Sequence, residues 1–165
     1  MKKILLAGLI PLSFWGCTSI QVNSIGQQHF SQITTVCIMQ NPAVIVEDFV
    51  PVLEKRLQHH GIKTVVRSPN NSAGCTTQLQ YSARQSWDGV LYLSWAELKL
   101  YQNGIPIGDA EYKLKGKGGL APTKWYSVET KMTPVIDELL KNKGSQVNQP
   151  LQVGEQPLIP IKISN

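Results

Sequence analysis

The sequence predicts an α+β fold: a single two-layer domain in which two amphipathic helices pack on a mostly antiparallel, four- to five-stranded sheet, in the order β-α-β-β-β-β-α. Three observations carry this. Val46, Phe49, Val50, Leu53 and Leu57 fall on one stripe of a helix, and so do Met132, Val135, Ile136, Leu139 and Leu140. Between them, Val90 to Lys115 reads as two alternating segments joined by Asn103-Gly104. Asn-Gly is the strongest short-range hairpin mark, because both turn residues need positive φ.

The first strand is expected over Ile33 to Met39, ITTVCIM, whose β-branched residues are apolar on both faces and suit a central position. Asn41-Pro42 ends it. The helix that follows begins around Glu47 to Val50, since Pro51 is tolerated only near a first turn, and Gly61 supplies its C-cap. Ile62 to Arg67 is a short strand and Ser68 to Gly74, SPNNSAG, a loop. From Thr76 to Gln85, Leu79, Tyr81 and Ala83 alternate with Gln78, Gln80, Ser82 and Arg84, so one face is buried and the other wet. The second helix spans Ser127 to Lys143, with Thr130 or Thr133 as its cap, Pro134 at or near the first turn and Gly144 as its end.

A two-residue turn at Asn103-Gly104 sets Gln102 opposite Ile105. Trp95 then opposes Tyr112, Leu93 opposes Leu114, and Glu97 opposes Ala110. Leu91, Leu93, Trp95, Ala110, Tyr112 and Leu114 share the core face in this register. Leu98, Leu100 and Ile107 fall on the nominally wet face, where either another segment covers them or they form a contact surface; these three are the candidate interaction surface.

Ahead of the domain, Lys2 and Lys3 precede an apolar run from Ile4 to Trp15, and Gly16 precedes Cys17. This is the n-region, h-region and cleavage pattern of an exported precursor. The run is shorter than the roughly 17 to 25 residues of a membrane span, and Gly8 and Pro11 weaken a continuous helix, so cleavage is expected. Phe14-Trp15-Gly16-Cys17 resembles the lipobox of bacterial lipoproteins through its Gly-Cys pair; Phe14 and Trp15 stand where that family usually has Leu and a small residue. The resemblance implies that Cys17 is acylated (palmitate among its lipids), becomes the mature N-terminus and anchors the protein in a membrane. Thr18 rather than Asp after the cysteine points, within the same family, to the outer membrane. The resulting division is a signal peptide over 1–16, a lipidated polar tether over 17–31, the α+β domain over 32–143 and a Pro-containing tail over 144–165. The element order over Ile33 to Lys143 is similar to that of small two-layer envelope lipoproteins, including the lipopolysaccharide-assembly lipoprotein and auxiliary lipoproteins of ABC transport systems.

Removing residues 1–16 leaves 149 of the 165 residues, room for one core. Losing Lys2 and Lys3 also lowers the formal net charge of +5 by two, a balance that does not call for a nucleic-acid partner. With Cys17 lipidated, Cys37 and Cys75 remain as an even pair, which reads as a disulfide in an oxidising compartment; two buried free thiols are the alternative. Without CxxC or HxxxH spacing no metal site is expected, and no cofactor. His29 reads as a surface residue. His59 and His60 project about 100° apart on a helix and complement its C-terminal dipole rather than converge on an ion. Lys113 to Lys124, KLKGKGGLAPTK, lacks the GxxxxGK[ST] arrangement of a phosphate loop and reads as a solvated turn, with anionic lipid headgroups as a weaker alternative. There is no GxSxG elbow or HExxH pair, and three histidines offer little acid-base material. The functional expectation is a non-catalytic binding or assembly module, partnered by an envelope protein and held by lipid at the periplasmic face of the outer membrane. A small-molecule or lipid-binding carrier is the second reading.

Overall fold

The computed structural model describes residues 18–115 and 122–141. Its fold is α+β, as expected, with six strands in one mixed sheet: β1 (Thr18–Asn23), β2 (Thr35–Met39), β3 (Lys63–Arg67), β4 (Thr77–Asp88), β5 (Val90–Gln102) and β6 (Ile105–Leu114). Their spatial order is β1-β6-β5-β4-β2-β3. β2 runs parallel to both β3 and β4, and the remaining pairings are antiparallel. Helices α1 (Phe49–His59) and α2 (Val128–Leu139) pack against each other, α1 beside β3 and α2 across β6 and β1. The expected tail over 144–165 lies outside the described residues.

The additional strand comes from the segment expected to be a tether. β1 pairs with β6 along its whole length, from Thr18 opposite Leu114 to Asn23 opposite Asp109. Ile20 and Gln21 stay exposed, as edge-strand side chains do, so a polar composition here does not mean a linker. After the strand, Ile25 is fully buried and its N–H donates to Leu139 O at 3.0 Å, while Ser24 Oγ donates to Glu138 O at 2.7 Å. Residues 18–25 are therefore part of the fold, tied to the end of α2. The approach is close: a Cβ on Gly108 of β6 would lie 3.0 Å from Asn23 O and 3.1 Å from Leu139 Cδ1.

α1 forms for the reasons legible in its sequence. Phe49, Val52, Leu53 and Leu57 are buried on one face. Pro51 occupies the first turn, where its missing N–H would have had no intrahelical partner. Beyond His60, Gly61 adopts φ +72°, its N–H donates to Gln58 O at 2.9 Å, and Ile62 N donates to Leu57 O at 3.1 Å. This is the paired bonding of a Schellman cap, which a glycine in the left-handed region makes without strain.

α2 departs from expectation at its start. Ser127, not Thr130 or Thr133, is the N-cap, its Oγ accepting from Thr130 N at 3.1 Å. The helix consequently starts earlier, and Pro134 lies in its interior rather than its first turn. Burial of Met132, Val135, Ile136 and Leu139 holds the helix despite the lost backbone bond. The two helices are clamped by Asp137, which accepts from Arg56 Nε and Nη2 at 2.5 Å each and lies 2.8 Å from His60 Nε2. Burial works to raise the Asp137 pKa, but the hydrogen bonds from Arg56 and His60 outweigh it and leave the carboxyl below its usual range. Its contribution to stability is present above the ordinary carboxylate pKa and is lost as pH falls through the lowered one.

In the β5–β6 hairpin the turn is as expected, with Asn103 at φ 52° and Gly104 at φ +79°, and Gln102 opposes Ile105. The register then shifts. Tyr101 opposes Pro106 but Leu100 opposes Gly108, so Ile107 is an extra residue on β6. Trp95 accordingly faces Lys113 rather than Tyr112, and Leu98 faces Ala110. On β6 the expected core residues Ala110, Tyr112 and Leu114 are buried, but Ala110 opposes Leu98 and Tyr112 opposes Ala96 on β5. A second irregularity, at Arg84/Gln85 of β4, leaves Ser94 without a counterpart and lets Leu93 point into the core. Trp95, expected in the core, lies half-buried, with the Arg84 guanidinium 4.5 Å from its ring centroid and its Nε1 donating to Glu111 Oε1 at 3.0 Å. Leu91, also expected inside, is 63% exposed.

Candidate functional site

The residues singled out from sequence have different fates. Cys17 lies outside the described residues; Thr18, which follows it in the chain, begins β1. Cys37 and Cys75 form a disulfide, Cα atoms 5.9 Å apart, joining β2 to the loop before β4. Leu98, Leu100 and Ile107 are not a surface: they are 1%, 1% and 8% exposed and belong to the core. The inserted residue at Ile107 turns the neighbouring β5 positions inward, which removes them as an interaction site. His29 is more than a surface residue, with Nδ1 2.6 Å from Gln102 Oε1, and His60 is engaged by Asp137.

Two regions remain as candidates. One is a groove of about 410 Å³ where the chain leaves β2, lined by Gln40, Asn41, Gln80, Tyr81, Glu97 and Lys99 among others. Its floor is held by Asn41, whose Nδ2 donates to Tyr81 O at 2.9 Å and whose Oδ1 accepts from Ala43 N at 3.0 Å. Tyr81 packs against Phe49, ring centroids 5.4 Å apart, and its Oη accepts from Asn41 N at 3.2 Å. Lys99 and Glu97 pair at 3.0 Å, and the hydrogen bond that the ammonium donates to this carboxylate raises the Lys99 pKa. The groove offers amide and hydroxyl groups plus a neutralised ion pair. Such a lining suits hydrogen bonding to a polar ligand more than proton transfer. Among the described residues, no three His, Cys, Asp or Glu side chains gather as a metal set.

The other region is the opposite end of the sheet, which the sequence reading did not single out. β4 and β5 meet at Gly89, φ +76°, and Trp87 faces Leu91 across the tip. Asp-Gly is itself a hairpin mark, so this connection was legible. Trp87, Val90 and Leu91 are exposed, as are Trp125 and Tyr126 beside a 3₁₀ turn, Pro122–Trp125, that packs on β5. Lys124 ties the two parts together: its Nζ pairs with the Asp88 carboxylate and lies 4.5 Å from the centroid of the Trp125 ring.

Beneath this end, Lys131 is buried. Its Nζ donates to Leu93 O at 3.0 Å and to Lys124 O, and sits 5.5 Å from the centroid of the Tyr92 ring. Burial pulls its pKa down to about 8 from 10.5. Folded protein therefore binds fewer protons than unfolded protein between those values, and stability rises with pH across that window, by up to about 3 kcal/mol. Below pH 8 the ammonium is charged in both states and its desolvation is felt in full. Urea titrations from pH 7 to 10.5 are expected to show the rise in wild type and a markedly flatter profile in Lys131→Met.

No protein-family model and no curated protein matches the chain. Among solved structures, the PelC dodecamer of Paraburkholderia phytofirmans aligns over 75% of this chain and 97% of that one, at 12% identity and a TM-score of 0.50. The fold is similar to that of PelC. At this identity the likeness concerns the arrangement of elements alone. A variant of PelC aligns at 13% identity and TM-score 0.49, over 76% of this chain and 97% of that one. A minor lipoprotein from Acinetobacter baumannii aligns over 70% of this chain and 93% of that one, at 13% identity and TM-score 0.30. No helix among the described residues is long and apolar enough to cross a membrane.

Proposed function

We propose that the chain is an exported lipoprotein, anchored through Cys17 at the periplasmic face of the outer membrane, whose domain binds other envelope proteins and performs no chemistry of its own. The observation that carries this reading is the junction at Cys17. A charged n-region, an apolar run and Gly16-Cys17 lead directly into β1, so an acyl group at position 17 would sit on the residue immediately before the first strand of the sheet. The charged groups whose bonds are described serve structural ends, Asp137 clamping the helices and Asp88 holding Lys124, which favours binding over catalysis.

Protein contact is supported by β1 and β3, the edge strands of the sheet among the described residues, where an edge can template strand addition. Since the PelC neighbour is a dodecamer, self-association is the first form of contact to test. The polar groove beside Asn41 favours a second reading, a small-molecule carrier. Native mass spectrometry of detergent-extracted protein separates them: oligomers or a protein partner support the first reading, and a monomer retaining a small ligand supports the second. For the anchor, Cys17→Ser is expected to move the protein from the membrane fraction to the soluble periplasm. A variant that remains membrane-bound removes lipidation as the anchor.

A further inference from the structure

We propose that the β4–β5 tip, with Trp125 and Tyr126 beside it, is a bilayer-contact surface that enters the headgroup region of the phospholipid leaflet next to Cys17. The inference rests on the anchored reading above, and four features of the structure lead to it.

The first is position. β1 begins at Thr18 opposite Leu114, and Lys113 faces Trp95, so the start of β1 lies at the level of the middle of β5 and on the side of the sheet where Gly89 turns. The tip reaches about four residues further out, roughly 13 Å at a strand rise of ~3.3 Å. An acyl chain at Cys17 and the tip thus approach one plane from the same end of the molecule, with the tip leading.

The second is chemistry. Trp87 is 73% exposed, Leu91 63%, Val90 55%, Tyr126 51% and Trp125 47%. Tryptophan and tyrosine with an aliphatic pair is the composition that settles at a membrane–water boundary, where the ring body is apolar and the N–H or O–H stays hydrated. The third is charge. Asp88, the acidic residue within the tip, is paired with Lys124, and the exposed Lys113 and Lys115 flank this end of the sheet, where they meet anionic headgroups favourably. The fourth is support: Lys124 also stacks on Trp125, and Lys131 bonds the backbone at Lys124 and Leu93, so the tip is presented on fixed backbone rather than on a loose loop.

The test uses the mature acylated chain in vesicles of phosphatidylethanolamine and phosphatidylglycerol, with and without phosphatidylcholine brominated near the top of its acyl chains. Flotation reports the anchor; tryptophan quenching reports the tip. Of the chain's four tryptophans, Trp15 lies in the segment expected to be cleaved, leaving Trp87, Trp95 and Trp125. Brominated lipid is expected to lower emission roughly two- to threefold, since two of three rings reach lipid, and the Trp87→Phe, Trp125→Phe double variant is expected to lose that quenching while still floating. Flotation with equal emission in both lipids overturns the tip proposal and leaves the anchor standing. Quenching of a Cys17→Ser chain that carries no lipid supports the tip even if the anchor reading fails. Protection of Trp87 and Trp125 from iodide in an oligomer without lipid assigns the patch to protein contact and overturns the proposal.

Discussion

Replacing Cys37 and Cys75 with serine is expected to lower the stability of the domain by about 4 kcal/mol, measured as the free energy of urea unfolding in water. The bridge spans 38 residues and links β2, between β3 and β4 in the sheet, to the chain entering β4. Without it, β2 loses its covalent tie to a strand it pairs with in parallel over only Cys37–Gln78 and Ile38–Leu79. Chain entropy then falls on the unfolded state, which gains the freedom of an open loop. The same loss is expected on reduction of the wild type, and reduction should leave the double serine variant unchanged. An equal response of both proteins to reductant would mean that the two cysteines are not bridged.

Leu98→Ala is expected to cost about 2 to 5 kcal/mol, the range for emptying a leucine site in a packed core. Leu91→Ala should change stability by no more than about 0.5 kcal/mol, as exposed substitutions do. The contrast follows from the inserted residue at Ile107, which turns Leu98 inward opposite Ala110, and from the place of Leu91 at the exposed β4–β5 tip, opposite Trp87. A regular two-residue hairpin would give the reverse: Leu91 costly, Leu98 nearly neutral. Chemical denaturation of the two variants therefore reads the register of the hairpin directly. A charge at position 98 is a poor probe of partner binding for the same reason, since it would bury a carboxylate and unfold the domain.

The parts of this fold that were legible in sequence are those that local chemistry dictates. Asn103-Gly104 demanded a primed turn, Leu79, Tyr81 and Ala83 alternated onto a buried face, Gly61 ended α1, and the two cysteines left after Cys17 found each other. The parts that were hidden depend on something no local pattern records. An edge strand such as Thr18–Asn23 meets water on two sides and can be polar without being a linker. An inserted residue such as Ile107 leaves composition untouched yet moves every later partner by one, and a shift of one exchanges faces. The displacement at Ile107 puts Leu98 and Leu100 in the core, where a regular hairpin would leave them on the wet face.

Moving β1 into the sheet also changes what the anchor means. With no stretch of chain between Cys17 and the domain, a lipid at position 17 would fix orientation as well as location, because β1 is bonded along its length to β6. With such a lipid, the surface near Thr18 would face the membrane, and the groove beside Asn41, at the other end of β4, would face away from it.

The most direct measurement is the intact mass of the protein extracted from bacterial membranes. The expected spectrum shows a chain lacking residues 1–16, with the added mass of acyl groups localised to Cys17 by fragmentation. A mature chain that begins at or near Cys17 without acyl mass, or a precursor that keeps Met1 to Gly16, would contradict it.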